Sequence, residues 1–382
     1  MAVGHAIPFD RALRFLRDDA LPLWAERGAY DNGCFVEHLD LDARPVDPGF
    51  TRTRAQARQL YVYSHAKVAG LWADDQLAAN AEAFFIQSCW LGPDHGWARR
   101  ISRFGDVIDP TNDLYDISFA LFALAWRQRV APDPKRLELA HQTLDLIERV
   151  LKAPHGGYWN DSDKTLPREQ NPHMHLAEAA NAWFEASADT RFSDLASELV
   201  DLMQRRFSDP VSGQLGEFFG LDWSPIGGDS GSIVEPGHQF EWSWIISHFG
   251  RLTGRPSLEI AERLIKSGQA GFDPATGLTV DQVDRKGRIL QASRRLWPQT
   301  EALKAALVEA EFFGKANNER IAKITNALFA NYLDTAPVGG TWIDHYNQDG
   351  SIKADKIPST SLYHIQLAFL ELLRLEPKLS NS

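Results

Sequence analysis

The chain predicts an all-α fold, an (α/α)6 barrel of twelve helices, and three observations carry that expectation. A glycine flanked by aromatic, apolar and acidic residues returns six times, at Gly33, Gly96, Gly157, Gly213, Gly277 and Gly340, with gaps of 63, 61, 56, 64 and 63 residues. Self-similarity of that length over the whole chain means one supersecondary unit repeated. Between the glycines the apolar residues fall at i, i+3, i+4 and i+7, as in DLYDISFALFALAWR (113–127) and PKRLELAHQTLDLIERVLK (134–152), so each repeat holds two helices. The third observation is parity: short polar turns follow the even helices, and the long glycine loops follow the odd ones.

In chain order the helices are expected, with boundary errors of about 2–4 residues, at α1 (9–29), α2 (53–73), α3 (75–91), α4 (113–131), α5 (134–152), α6 (171–188), α7 (192–207), α8 (237–253), α9 (257–270), α10 (297–313), α11 (317–333) and α12 (360–376). After α1 and the Gly33 loop, α2 opens with Arg54, Gln56 and Arg58, and Ala73-Asp74-Asp75 turns the chain into α3. Past the Gly96 loop, Asp113 is a plausible N-cap for α4, whose FALFALAW core (119–126) is apolar over most of its circumference. Ala131-Pro132-Asp133-Pro134 leads into α5, whose Asp133, Lys135, Arg136, Glu138, Asp145, Glu148 and Arg149 form a polar stripe. Even helices are therefore inner and odd helices outer. The pattern repeats: α6 opens with Asn171, His175 and Glu178, α8 with His238 and Glu241, α10 with Trp297, Gln299 and Glu301, and α12, behind a plausible Thr360 cap, with His364. Thr253-Gly254-Arg255-Pro256 joins α8 to α9. In an up-and-down arrangement all six long loops lie on one face, toward which the inner helices point their N-termini. An open solenoid of helix pairs is the rival architecture; six near-equal units favour closure into a ring.

Residues 1–382 read as one domain, since no Pro-, Gly- or Ser-rich linker interrupts the period. Cys34 and Cys89 sit among apolar or aromatic neighbours, which argues against a disulfide framework and fits a reducing cytoplasm. The stretch MAVGHAIPFDRALRFLRDD carries charges where a secretion signal needs an apolar run, and no apolar run approaches membrane length. A net charge of −11 argues against nucleic acid as partner. Clusters at Arg99-Arg100, Arg285-Lys286-Arg288 and Arg294-Arg295 read as solvated loop charges that could also grip a phosphorylated or sulfonated substrate. The expected partner is a small molecule, the expected assembly a monomer or homodimer, and no cofactor or metal is expected.

Twelve tryptophans are many for this length, and Trp97, Trp159, Trp223, Trp297 and Trp342 fall in or beside the loops. Loop packing accounts for most; Trp297, at the start of an inner helix, is the best candidate to stack on a sugar face. Six helix N-termini converging on one pocket offer unpaired amides and partial positive charge to an anionic intermediate. His175-Leu-Ala-Glu178 and His238-Gln-Phe-Glu241 place imidazole and carboxylate on one helix face. One reading is a metal site. The favoured one is a proton-moving histidine tuned by its carboxylate.

Six segments, Gln56-Ala-Arg58-Gln-Leu-Tyr61-Val-Tyr63, Tyr115-Asp116-Ile-Ser-Phe119, Asn171-Pro-His-Met-His175-Leu-Ala-Glu178, Pro236-Gly-His238-Gln-Phe-Glu241-Trp242, Trp297-Pro-Gln-Thr-Glu301 and the late His364, together resemble the N-acylglucosamine 2-epimerase superfamily over essentially the whole chain. The resemblance implies an (α/α)6 barrel and metal-independent isomerisation or epimerisation of sugars. It implies that Arg58 binds the oxygens near C1 and C2, that Tyr115, Asn171, His175 and Trp297 line the site, and that His238 and His364 are the acid/base pair. Glu241 would orient His238 and Glu301 would assist near the ring. The same residues suit the chemistry without the family, because abstraction of the C2 proton needs ring opening, a base at C2 and a cation for the enediolate. Return of the proton to C1 gives a ketose; delivery to the opposite face of C2 gives the epimer. The expectation is mannose–fructose isomerisation, with a monosaccharide 2-epimerase (glucose/mannose or N-acylglucosamine/N-acylmannosamine) as alternative. Ser359-Thr360-Ser361-Leu362-Tyr363 lacks the extra aromatic expected before the last histidine of a disaccharide epimerase. A glycoside hydrolase using Asp113, Asp116, Glu241 or Glu301 as its carboxylate pair is a further alternative, and a catalytically silent binding protein another, against which the intact Arg58, His238 and His364 count.

Overall fold

A computed structural model describes residues 6–314 and 317–381; the first five residues of the N-terminal stretch read above lie outside it. All twelve expected helices are present. The inner ones are α2 (Thr53–Val68), α4 (Leu114–Val130), α6 (Asn171–Ser187), α8 (Pro236–Thr253), α10 (Trp297–Phe312) and α12 (Ser361–Leu379). The outer ones are α1 (9–27), α3 (Gln76–Cys89), α5 (134–151), α7 (190–207), α9 (Leu258–Gly268) and α11 (318–333). π-Helical turns interrupt α1 at Phe15–Ala20 and end α5, α7 and α11. Helix α2 stops five residues earlier than expected because Gly70 adopts φ +73°, a left-handed break just beyond its end.

The ring closes. α2 packs on α4, α4 on α6, α6 on α8, α8 on α10, α10 on α12, and α12 back on α2, while each outer helix lies against the inner helix of its unit and α1 against α12. An open solenoid has no such last contact, so the barrel is the architecture. The division into layers follows from composition: Phe119 to Trp126 are all buried in α4, and tertiary burial rather than propensity fixes such a helix.

The six signature glycines all have positive φ, from +64° to +90°. Each ends the tight hairpin after an outer helix, and at Gly33 and Gly340 the loop presses on the backbone of its neighbour around the ring. A Cβ on Gly33 would stand 2.6 Å from the carbonyl oxygen of Asn80 in α3, and one on Gly340 2.6 Å from that of Asp19 in α1. Only glycine meets both demands. In three repeats a buried glutamine of the inner helix then clamps the residue two beyond the glycine on both backbone groups: Gln56 on Phe35, Gln239 on Leu215 and Gln299 on Thr279.

The all-helical expectation leaves out short strands in the loops, two or three residues each. They form a belt around the active-site face. Residues 51–52 pair with 100–101, Asp113 bridges Asp161, 168–169 pair with 218–219, 233–234 with 283–284, 294–295 with 345–346, and 357–358 with 38–39, all antiparallel. Every long loop is thus tied to the next, and the belt closes as the ring does. Residues of the basic clusters are tied into this belt: Arg99 pairs with Asp113, Arg100 with Asp109, Arg288 with Asp284, and Arg295 with Asp281 and Glu235. Cys34 and Cys89 are free and buried. Among the described residues, no helix is long and apolar enough to cross a membrane.

Candidate active site

A cavity of about 460 Å³ opens at the N-terminal ends of the inner helices. Arg58, Tyr115, Asn171, His175, His238, Glu241, Trp297 and His364 all line it, and Glu301 lies just beneath, bonded to His364. Residues from six helices up to 306 positions apart are brought together because each occupies the first turns of an inner helix.

Arg58, 6% exposed, donates to Tyr115 Oη (2.6 Å) and to the Thr360 carbonyl (3.3 Å), and its guanidinium lies 4.0 Å from the centroid of Phe119. It is therefore a fixed charge, held by polar partners and aromatic faces. Trp297 touches both histidines, with ring centroids 5.0 Å from His238 and 5.7 Å from His364. The indole reaches that position because residue 237 is glycine; a Cβ there would come within 2.5 Å of it. The other loop tryptophans that are buried, Trp97, Trp223 and Trp342, serve packing.

The histidines differ in their surroundings. His238 Nδ1 lies 2.8 Å from Glu217 Oε2 and 3.7 Å from Glu235 Oε2. Burial alone lowers an imidazole pKa, but here the Glu217 carboxylate, then Glu235 and Glu241, outweigh it and raise His238 to about 9. His364 Nδ1 lies 2.9 Å from Glu301 Oε1. There burial, reinforced by the charges of Arg58 and Lys304, holds the imidazole well below its ordinary value. His175 Nδ1 meets Glu178 Oε2 at 3.0 Å, and burial lowers it to about 4 despite that contact. Glu178 also accepts from Tyr363 Oη. His173, in the same turn of α6, belongs to the fold: its Nε2 accepts from the Tyr158 amide and its Nδ1 meets the Glu169 carbonyl.

One expected role needs correction. The i, i+3 spacing of His238 and Glu241 suggested that Glu241 orients the ring, but the Nδ1 contact is to Glu217, from the loop before α8. Glu241 Oε1 is buried without a hydrogen-bond partner, and burial beside Glu301 pushes its carboxyl well above the ordinary range. Helical spacing can only nominate partners on the same helix. A second periodic signal nominates Glu217: five of six repeats place an acid four residues after the signature glycine, at Glu37, Asp161, Glu217, Asp281 and Asp344. The others fasten loops, as Glu37 accepts from the Arg52 amide and Asp281 from Ser293 and Arg295. Glu217 keeps that role by accepting from the Glu235 amide and adds the histidine.

His175, Glu178 and Glu241, and likewise Glu241, Glu301 and His364, bring donor atoms within 4.8 Å of one another. Positive charge for these carboxylates is already present on the chain: Lys304 Nζ, fully buried, lies 2.6 Å from Glu301 Oε2.

A closed helical ring with a polar pocket at its inner N-termini, and two carboxylate-held imidazoles in that pocket, is the build of an (α/α)6 barrel enzyme that moves protons. The chain belongs to the N-acylglucosamine 2-epimerase (GlcNAc 2-epimerase) family, whose model matches residues 33–368. It is 35% identical over 370 residues to a mannose-6-phosphate isomerase of Rhizobium meliloti (strain 1021), covering 94% of this chain and 95% of that one. It is 27% identical over 319 residues to a D-mannose isomerase of Thermobifida fusca, covering 76% and 77%. Its fold matches that of a cellobiose 2-epimerase from Bacillus thermoamylovorans B4167 with a TM-score of 0.85, at 20% identity and 96% and 98% coverage. Family and relatives make it a sugar isomerase or epimerase.

Proposed function

We propose that this chain interconverts mannose and fructose as free monosaccharides, without a metal, through an enediol. The observation that carries the reading is that two histidines, each with Nδ1 against a glutamate, face one cavity with their pKa values shifted in opposite directions, the arrangement that suits acid and base roles. With the sugar ring open, neutral His364 takes the proton from C2 as the C2–H electron pair becomes the C1=C2 bond. The carbonyl oxygen, held by Arg58, takes a proton from cationic His238. In the second half His238 recovers a proton from the C2 hydroxyl while His364 returns its proton to C1, giving the ketose with no net redox change. For the 2-epimer, the alternative outcome of the same site, the O1 hydroxyl returns its proton to His238, His238 delivers it to the opposite face of C2 as the C1=O bond re-forms, and solvent exchange takes the abstracted proton from His364 and recharges His238.

Free sugar rather than sugar phosphate suits the lining. Glu169, Glu217, Glu235 and Asp344 face the cavity, while Arg58 and Arg295 are engaged by Tyr115 and by Asp281 and Glu235. The second reading, a phosphorylated substrate, is favoured by the relative at 35% identity and by Lys356 at the cavity wall. Residues 1–382 act in this reading as one catalytic domain, a monomer or homodimer in the cytoplasm.

Incubation with mannose in D2O, followed by NMR and run beside mannose 6-phosphate, tests it. Fructose from mannose is expected. Glucose deuterated at C2 would make the chain an epimerase, turnover of the phosphate alone would move the substrate class, and cleavage of a glycoside would make it a hydrolase. Activity lost on exhaustive chelation and restored only by metal would overturn the metal-free step.

A further inference from the structure

Lys304 is fully buried in α10, one turn after the buried Glu301. A buried ammonium is expensive unless paired. It faces carboxylates from three consecutive inner helices, Glu178 of α6, Glu241 of α8 and Glu301 of α10, and its Nζ lies 4.4 Å from the ring centroid of Trp244. The closest of these is Glu301, whose two oxygens are divided: Oε2 is 2.6 Å from Lys304 Nζ and Oε1 is 2.9 Å from His364 Nδ1. Ammonium, carboxylate and imidazole are thus in contact in sequence, from the barrel interior to the cavity wall.

We propose that Lys304 is a positioning residue for the base: its ammonium keeps Glu301 an ionised acceptor, Glu301 takes the Nδ1–H of His364, and the bare Nε2 of His364 is thereby turned to the sugar. The inference rests on the proton-transfer reading given above. An ionised carboxylate only accepts, so the ring nitrogen it meets must carry the proton, and in a neutral imidazole the other nitrogen is then the free base. A protonated Glu301 would donate to Nδ1 instead, placing the proton on Nε2 and leaving nothing to abstract the C2 hydrogen. Burial pushes the Glu301 carboxyl up, and Lys304 is the strongest influence pulling it back, ahead of His175 and His238.

The charges facing His364 from every packed helix are Arg58 of α2, His175 and Glu178 of α6, His238 and Glu241 of α8, and Glu301 and Lys304 of α10. Lys304 acts twice on this set. It holds Glu301 ionised, and it repels a second proton from His364.

The test is Lys304→Met, read by pH profile and by 15N NMR of His364. Removing the ammonium lets Glu301 take a proton, so kcat at neutral pH is expected to fall roughly 10²-fold, within the range of a lost general base, with KM changed less than about threefold. Activity should recover as pH rises, because Glu301 ionises again, which moves the acid limb of kcat upward. A merely structural lysine would lower folded protein without moving that limb. An unmoved limb with kcat within about threefold of wild type overturns the proposal. Should the variant not fold, the wild-type protein decides: at pH 7 the 15N shifts should report His364 protonated on Nδ1 and bare on Nε2, and the reverse tautomer overturns the proposal. This readout needs no turnover, so it separates a wrong role for Lys304 from a wrong substrate.

Discussion

The start of α8 and the start of α12 present the same chemistry to the cavity and arrive at opposite charge. Each offers a first-turn histidine, His238 at 7% and His364 at 6% exposure, with Nδ1 against one glutamate oxygen. His238 is raised to about 9 and His364 is driven well below 6.5. The histidine–carboxylate contact therefore does not fix the protonation state; the charge behind the carboxylate does. Behind Glu217 stand further carboxylates, Glu235 at 3.7 Å from the imidazole and Glu241. Behind Glu301 stands the ammonium of Lys304, and beside His364 the guanidinium of Arg58. The two histidines of one pocket are shifted in opposite directions because its two ends are balanced separately, as the proposed acid and base roles require.

The largest effect expected from breaking this asymmetry is removal of either end. His238→Asn and His364→Asn should each lower kcat by about 10²–10⁴-fold, with the melting temperature within a few degrees, since Glu217 keeps the Glu235 amide and Gln170 as partners and Glu301 keeps Lys304. Near-normal turnover in either variant, measured with mannose, would show that the pair is elsewhere.

Glu217→Gln comes next, because it removes the charge behind one histidine and leaves the other end intact. A raised imidazole is protonated below its pKa and loses its proton as pH climbs through it. Lowering that pKa therefore brings the alkaline limb of kcat/KM down from about 9 toward neutral pH, with a loss of roughly 10-fold at pH 8. Glu241→Gln should move the limb less, since Glu217 is the larger influence on His238 and burial pushes the Glu241 carboxyl up. A limb that follows Glu241 rather than Glu217 would restore the role the helical spacing suggested.

In the wild type the same signs define the whole profile. The base form of His364 is lost only well below pH 6.5 and the acid form of His238 only near 9, so kcat/KM should be flat between about 6.5 and 8.5. A bell centred on pH 6.5 would mean that the two imidazoles titrate alike and that the balance of charge behind them is illusory.

The two ends also differ in how they can be read from sequence. His364 and Glu301 sit on neighbouring inner helices, so a helical pattern places both at one depth. Glu217 comes from a loop whose geometry is set by strand pairs of two residues joining segments as far apart as 38–39 and 357–358, and no periodicity of 2 can register in so short a run. The ring itself was legible because positive φ and a close approach force glycine at Gly33 and Gly340, and because an apolar circumference marks α4 as inner. Lys304 is illegible for the opposite reason. A lysine in a helix reads as solvated, and its buried setting exists only once α6 and α8 bring Glu178 and Glu241 to it.

The smallest expected effect tests whether the indole shared by both ends takes part in their balance. Trp297 lies between contacts of 5.0 Å to His238 and 5.7 Å to His364, and Gly237 makes room for it. In Gly237→Ala the new methyl would stand 2.5 Å from Trp297 Cζ3 and 3.1 Å from Pro298 Cβ, so the indole must move by some tenths of an ångström. Misplacing a group that shapes the substrate pose costs rate without touching protonation, and kcat/KM is expected to fall about 10-fold with both limbs where the wild type has them. The glutamates and Lys304 are untouched by this change. If the limbs do move in Gly237→Ala, the ring face of Trp297 must be counted among the charges and dipoles that set the two histidines apart.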